Sequence, residues 1–161
     1  MEYKSIKTPA FILDKEILST NIHNMNTSFK RYWKKVIIGY SYKTNSLPWL
    51  LNFVKNNDFF AEVVSPDEYD LAKKIGHNDN NIILNGPLKS QIHIRNILKN
   101  SGIINLDSMQ EAIFISELSK KQQDLKVGVR INFDLEKYAP TETIMGSEPG
   151  RFGFNIENGD F

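Results

Sequence analysis

The 161-residue sequence has no cysteine, which excludes disulfides, thiolate metal sites and a cysteine nucleophile and fits a reducing compartment. Long apolar runs are also missing: nothing approaches the roughly 20 residues of a membrane span. The stretch from Met1 to Lys7 lacks the apolar core of a secretory leader. Charge of one sign is not in excess, since 20 basic and 19 acidic side chains leave a formal charge of +1. No overall field therefore draws nucleic acid or anionic membrane to the chain. There is no P-loop and no G-x-S-x-G elbow, which disfavours nucleotide hydrolysis and serine catalysis. His23, His77 and His93 show no ligand spacing, so no metal site is expected. These absences predict a soluble, cytoplasmic protein that binds neither nucleic acid nor membrane.

What is present is globular composition, 40% hydrophobic and 24% charged, and a regular alternation along the chain. Asp14 can cap a helix whose apolar face runs Ile17, Leu18, Ile22, Met25 and Phe29. Short β-rich runs follow at Val36 to Tyr42, Phe59 to Val64, Ile82 to Leu84, Ile103 to Leu106 and Val127 to Phe133, separated by helix-patterned stretches. Their starts lie roughly 21 to 24 residues apart, the length that one strand, one crossover helix and two short loops require. About five β/α units result. Ser65-Pro66-Asp67-Glu68 and Ser108-Met109-Gln110-Glu111 are capping boxes. Pro48 opens a helix expected to bury Trp49, Leu50, Phe53 and Val54, and Gly102 is expected to end the fourth helix in a left-handed conformation. The lysine pairs 34/35, 73/74 and 120/121 fall near helix ends, where cations complement the dipole.

Successive units of this kind make an open doubly wound sheet or a closed barrel. Side-chain alternation favours the barrel. Val36, Ile38, Tyr40 and Tyr42, like Val127, Val129 and Ile131, form a large apolar face suited to lie under helices. Ile37, Gly39, Ser41 and Lys43, like Gly128, Arg130 and Asn132, form the opposite face, read as small and ending in charge, as a barrel interior with a site at its mouth requires. The predicted fold is an α/β parallel barrel, incomplete at five units.

Polar residues collect where the strands end: Lys43 and Asn45, Glu62 and Ser65, Asn85, Asp107, Arg130 and Asn132. Asn85-Gly86-Pro87 reads as a turn, and Asp107 as an acidic neighbour of a helix N-terminus. Glu62 interrupts an apolar run, and a buried carboxylate needs a partner; Lys43 and Arg130 are the cations available. A lysine at such a strand end has an obvious use: desolvation and neighbouring cations free an amine to condense with an aldehyde.

These residues resemble the barrel-type pyridoxal-phosphate decarboxylases that include diaminopimelate and ornithine decarboxylase. Thr8-Pro9-Ala10-Phe11-Ile12-Leu13-Asp14 is similar to the family's opening. Tyr40-Ser41-Tyr42-Lys43-Thr44-Asn45 resembles its Y-A-V-K-A-N lysine motif, with Ser41 and Tyr42 replacing the small and aliphatic residues. Ala61-Glu62-Val63-Val64-Ser65 is similar to a D-V-V-S segment with glutamate for aspartate. Asn85-Gly86-Pro87-Leu88-Lys89-Ser90 resembles N-G-x-x-K-S, and Val129-Arg130-Ile131-Asn132 resembles L-R-I-N. The order and spacing agree along nearly the entire chain. Ser147-Glu148-Pro149-Gly150-Arg151 looks like the family's G-E-P-G-R motif but lies too early. It fits better the S-K/R-F-G segment, with Arg151 as the basic residue and Glu148 unassigned.

The resemblance implies pyridoxal 5'-phosphate as cofactor, Lys43 as the residue that forms the Schiff base, and Glu62 and Arg130 close to Lys43 and the cofactor ring. It implies decarboxylation of a basic or dicarboxylic amino acid, with a homodimer in the full-length enzyme. A barrel of this type has eight units and about 250 residues, so residues 1–161 are expected to be the N-terminal part of one barrel domain. The remaining strands and a C-terminal β domain would be absent, and the piece alone would be inactive. Alternative readings are a non-catalytic homologue that binds the cofactor or regulates a partner, and an alanine-racemase-like barrel protein.

Overall fold

The structure is a computed structural model that describes residues 6–140 and 152–159. The segment Ser147 to Arg151 lies outside them. The chain divides into two compact units, Met1–Ile37 and Ile38–Phe161.

In the first unit, helix α1 spans Lys15–Tyr32. One carboxylate oxygen of Asp14 accepts hydrogen bonds from the backbone N–H groups of Glu16 (2.9 Å) and Ile17 (3.0 Å), satisfying two of the donors a helix start leaves open. Of the expected apolar face only Ile22 is buried; Ile17 and Phe29 are exposed.

The second unit is a run of β/α repeats. In chain order it contains β1 (Gly39–Ser41), a 3-10 turn (Tyr42–Thr44), α2 (Pro48–Lys55), β2 (Phe60–Val63), α3 (Pro66–Ile75), β3 (Ile82–Leu84), α4 (Gln91–Lys99), β4 (Ile103–Leu106), α5 (Met109–Ser119), β5 (Lys126–Val129), β6 (Ile131–Asn132), α6 (Leu135–Tyr138) and β7 (Phe154–Asn155). Strands β1 to β5 form one parallel sheet in sequential order. That order decides the architecture. Right-handed crossovers that always step the same way put every helix on one face, whereas a doubly wound sheet reverses direction to cover both. The other face is then a barrel interior, and the parallel α/β arrangement expected from the sequence is present.

The two faces differ as strand alternation requires. Ala61, Val63, Ile82, Leu84 and Ile104 are essentially inaccessible and pack with Leu51, Tyr69, Ala72, Ile94, Ile97, Leu98 and Ile115 from the helices. Between them in sequence, Phe60, Glu62, Ile83, Ile103 and Asn105 are only half-buried.

Several local expectations need correction. Trp49 is not a core residue of α2: it is 46% exposed and stacks on Phe53 (ring centroids 5.3 Å apart), while Leu50, Leu51 and Val54 supply the buried stripe. Trp33 is likewise exposed. Ser101, not Gly102, takes the left-handed conformation after α4 (φ 61°). Glycine is required at 102 for space, because a Cβ there would collide with the carbonyl oxygen of Asp79 and the side chain of Ile97. Val127, Val129 and Ile131, expected under helices, are exposed, because no described helix packs over that side of β5 and β6. The fifth run is also not one strand. Arg130 divides it, donating its N–H to Leu106 of β4 (2.8 Å) and accepting at its carbonyl from Phe154 of β7 (2.8 Å). The ladder thereby passes to β7, which pairs in parallel with β6; two residues are too few to show a period of their own.

Candidate active site

The lysine motif does not stay in the strand. After Ser41 the backbone tightens into the 3-10 turn, closed by the Thr44 hydroxyl donating to the Ser41 carbonyl (2.7 Å). Tyr42 anchors the turn. Its side chain is wholly buried, its ring meets His77 edge-on (centroids 6.1 Å apart), and its hydroxyl is buried without a partner. Burial pushes the Tyr42 phenol up to about 12. With Tyr42 held beneath the helices, Lys43 emerges on the opposite side, where it lines a cleft of about 500 Å3 at the carboxyl ends of the strands. The Lys43 amine makes no hydrogen bond or ion pair with any described residue.

The rest of the cleft wall comes from the following strand ends. Asn85, Gly86 and Pro87 follow β3; Asn105 belongs to β4; Gly128 and Val129 end β5; Arg130 and Phe152 complete it. Gly86 has φ +87° and lies so close to β2 that a Cβ would sit 2.6 Å from the Val64 carbonyl oxygen, so only glycine fits. Gly128 makes room for the Asn105 side-chain oxygen, which a Cβ would strike.

Arg130 lines the same cleft as Lys43. Its guanidinium lies 4.9 Å from the Phe152 ring centroid and donates to Asp107 at 3.4 Å. Glu62 is not part of the cleft wall. It lies half-buried on the inner face of β2, paired in register with Ser41, and among the described residues it forms no ion pair. Of the two cations expected for it, Arg130 is bound by Asp107 and Lys43 makes no ion pair with it. Asn45 accepts from the Leu47 N–H (3.0 Å) and Ser65 caps α3, so both serve local turns.

Sequence reasoning passed over Asn105, Gly128 and Phe152 as cleft residues. Asn105 carried a usable signal, since it breaks the apolar run Ile103 to Leu106 at inner-face parity, as Glu62 does in its own run. Asp107 was read as a helix-end neighbour and is more than that: its side chain is 1% exposed and ion-paired.

A sheet of sequentially ordered parallel strands that opens a lysine amine into a cleft at its carboxyl ends is the arrangement of barrel-type, cofactor-binding enzymes. Over residues 18–160 the chain matches, and belongs to, the family described as pyridoxal-dependent decarboxylase, pyridoxal binding domain. It is 28% identical over 158 residues to diaminopimelate decarboxylase of Methanocaldococcus jannaschii, covering 94% of this chain and 36% of that protein. It is 28% identical over 155 residues to L-glutamyl-(BtrI acyl-carrier protein) decarboxylase of Niallia circulans, covering 94% and 35%. The crystal structure of the M. jannaschii diaminopimelate decarboxylase superposes with a TM-score of 0.71 at 25% identity, over 97% of this chain and 37% of the other. The chain thus spans just over a third of the length of these relatives.

The family's cofactor is pyridoxal phosphate, and the residues present fit it. Lys43 offers an amine without a competing partner, and Gly86 and Gly128 keep the wall free of side chains. The Ser41 hydroxyl, on the inner face, is buried with no partner and has hydrogen-bonding capacity to spare. The cleft volume lies within the range of small-molecule sites.

Proposed function

We propose that this chain is the cofactor-holding part of an enzyme that decarboxylates a basic or dicarboxylic amino acid, with Lys43 as the residue that takes the cofactor aldehyde. The observation that carries the reading is the unpaired Lys43 amine in a cleft whose far wall bears Arg130. When bound, pyridoxal phosphate supplies an electron-withdrawing ring that stabilises negative charge left on the α-carbon. The chain's own residues bind and orient. Lys43 would hold the cofactor through its amine, and the Arg130 guanidinium, in the same cleft, would supply positive charge to the bound cofactor. Glu62, in register with Ser41 on the inner face of β2, would add a negative charge on the same face of the sheet as the cofactor. Residues 1–161 are read as the first part of one barrel domain, working as a homodimer in the cytoplasm.

The inner faces of β2 to β4 are half-open, and a site open to water cannot exclude solvent from the reacting carbon. The 161 residues by themselves are therefore expected to take up cofactor weakly and not to sustain turnover. The test is to incubate the purified chain, and a longer form containing it, with pyridoxal phosphate and diaminopimelate, lysine, ornithine, arginine or glutamate. Carbon dioxide release by the longer form, lost in Lys43→Ala, supports the reading. Racemised substrate with no carbon dioxide overturns it.

A further inference from the structure

We propose that Asp107 is a positioning residue for Arg130, and that the buried Lys89–Glu111 pair exists to hold Asp107 in place; its bearing on catalysis rests on the cofactor reading above.

Two turns in the sheet are built alike. Between β2 and α3, the Ser65 hydroxyl accepts from the Glu68 N–H (3.2 Å), and the Glu68 carboxylate reaches back to the Val64 N–H (2.9 Å). Between β4 and α5, the Ser108 hydroxyl accepts from the Glu111 N–H (3.4 Å), and the Glu111 carboxylate reaches back to the Asp107 N–H (2.9 Å). The first turn does this with Val64 ahead of its cap and no lysine on its glutamate. The second adds two charges the motif does not need: Asp107 in the place of Val64, and Lys89, whose wholly buried ammonium donates to both Glu111 carboxylate oxygens (3.0 and 2.9 Å) and to the Gly86 carbonyl.

Burying such groups is costly, and a buried ion pair is weak evidence for stability. What the charges secure is geometry. Asp107 is buried, yet one of its oxygens turns to Arg130 (3.4 Å) while the other has no partner. Arg130 is 42% exposed on its side chain and would otherwise be free to swing into solvent. Between the Asp107 carboxylate and the Phe152 ring it is held at the cleft wall. Because Lys89 also grips Gly86, a second part of that wall, the two loops are fixed as one piece.

The experiment has two readouts. In cofactor-free protein, modification of Arg130 by phenylglyoxal is followed by peptide mass spectrometry. Asp107→Asn, which keeps the shape and removes the charge, should raise the Arg130 rate several-fold. Glu111→Gln should raise it less, and Glu68→Gln, at the sister turn, should leave it unchanged. Separately, pyridoxal phosphate affinity is measured for Asp107→Asn, Arg130→Met and the double variant. Each single change should weaken binding by roughly tenfold, the scale of one charge-assisted contact, and the double variant should be no weaker than Arg130→Met alone. Unchanged Arg130 reactivity in both Asp107→Asn and Glu111→Gln, or additive losses in the double variant, overturns the proposal. Failure of the unaltered protein to take up the cofactor overturns the proposed function instead, and the modification rates still decide the pair.

Discussion

The two faces of the five-stranded sheet are made by the same strands from alternate residues, and they have opposite characters. From β2 to β4 the helix-covered face is uniform: alanine, valine, isoleucine and leucine, closed to solvent. The inner face is mixed, with Gly39, Ser41, Glu62, Ile83, Asn105 and Gly128. Among the described residues its hydrogen-bonding groups are incompletely matched: the Ser41 hydroxyl has no partner and Glu62 no cation. Unmatched groups alone do not separate the faces, since the Tyr42 hydroxyl beneath the helices also lacks a partner among the described residues; what sets the inner face apart is that polar side chains interrupt its apolar strands next to the cleft. The contrast teaches that the outer face holds the fold and the inner face is organised around something it binds.

The division can be broken by substitution, and the largest effect expected is on function alone. Lys43→Ala should abolish covalent uptake of pyridoxal phosphate, read after borohydride reduction. Because Lys43 is exposed and unpaired, the same change should move stability by no more than about 0.5 kcal/mol in urea unfolding. A large loss of stability would show that the inner face is not separable from the fold.

Next comes the charge buried where two strand-end loops meet. Lys89→Met leaves the Glu111 carboxylate without its cation and should cost about 3–5 kcal/mol, as breaking one side of a buried pair does. On the outer face, Leu84→Ala and Ile104→Ala, both buried and inside the core, should cost about 2–5 kcal/mol each by cavity formation, with little change in cofactor affinity per folded molecule. On the inner face, Gly128→Ala meets the Asn105 side chain and should cost about 1–3 kcal/mol through overpacking. Combining it with Asn105→Ala should recover most of that loss. Recovery would identify the cost as one contact rather than a backbone effect.

The smallest effect is a pH dependence on the helix-covered side. Burial pushes the His77 imidazole below its usual range, and the Lys55 and Lys73 charges push the same way. The folded state therefore binds its proton less readily than the unfolded chain does, and stability falls as pH drops below about 6.5, the ordinary histidine value. Urea midpoints measured from pH 8 down to pH 5 should decline, and His77→Gln should flatten that decline. Asp79 lies in a separate window. Burial alone would raise its carboxyl, but hydrogen bonds from Lys73 and Tyr69 outweigh this and hold it below its usual range, so its contribution is lost only in more acidic solution.

How much of this was legible in the sequence follows from how local each feature is. The caps at Asp14, Ser65 and Ser108 depend on residues two to three positions apart and are all present. Strand existence followed from short apolar runs, and face assignment from alternation, so Tyr42 and Lys43 were separated to opposite sides correctly. Strand length was not legible. Only Gly39 to Ser41 of the first run enters the ladder, because pairing needs an aligned neighbour and β2 begins at Phe60. Gly102 looked like a helix stop and is a space requirement set by Asp79, 23 residues earlier. That Lys43 and Arg130 line one cleft was legible because each ends an apolar strand. The Arg130 partner was missed because Asp107 is 23 residues away and sits in a position that helix-end chemistry already explained. The Lys89–Glu111 pair, 22 residues apart, was missed for the same reason.

The most direct test is a competition among lysines. Protein and pyridoxal phosphate are mixed in equal amounts, reduced with borohydride, digested and mapped. The account predicts that the cofactor is found on Lys43, the amine that the strand ends place in a cleft. Label spread over surface lysines such as Lys74 and Lys99, with Lys43 no more modified than they are, would contradict it.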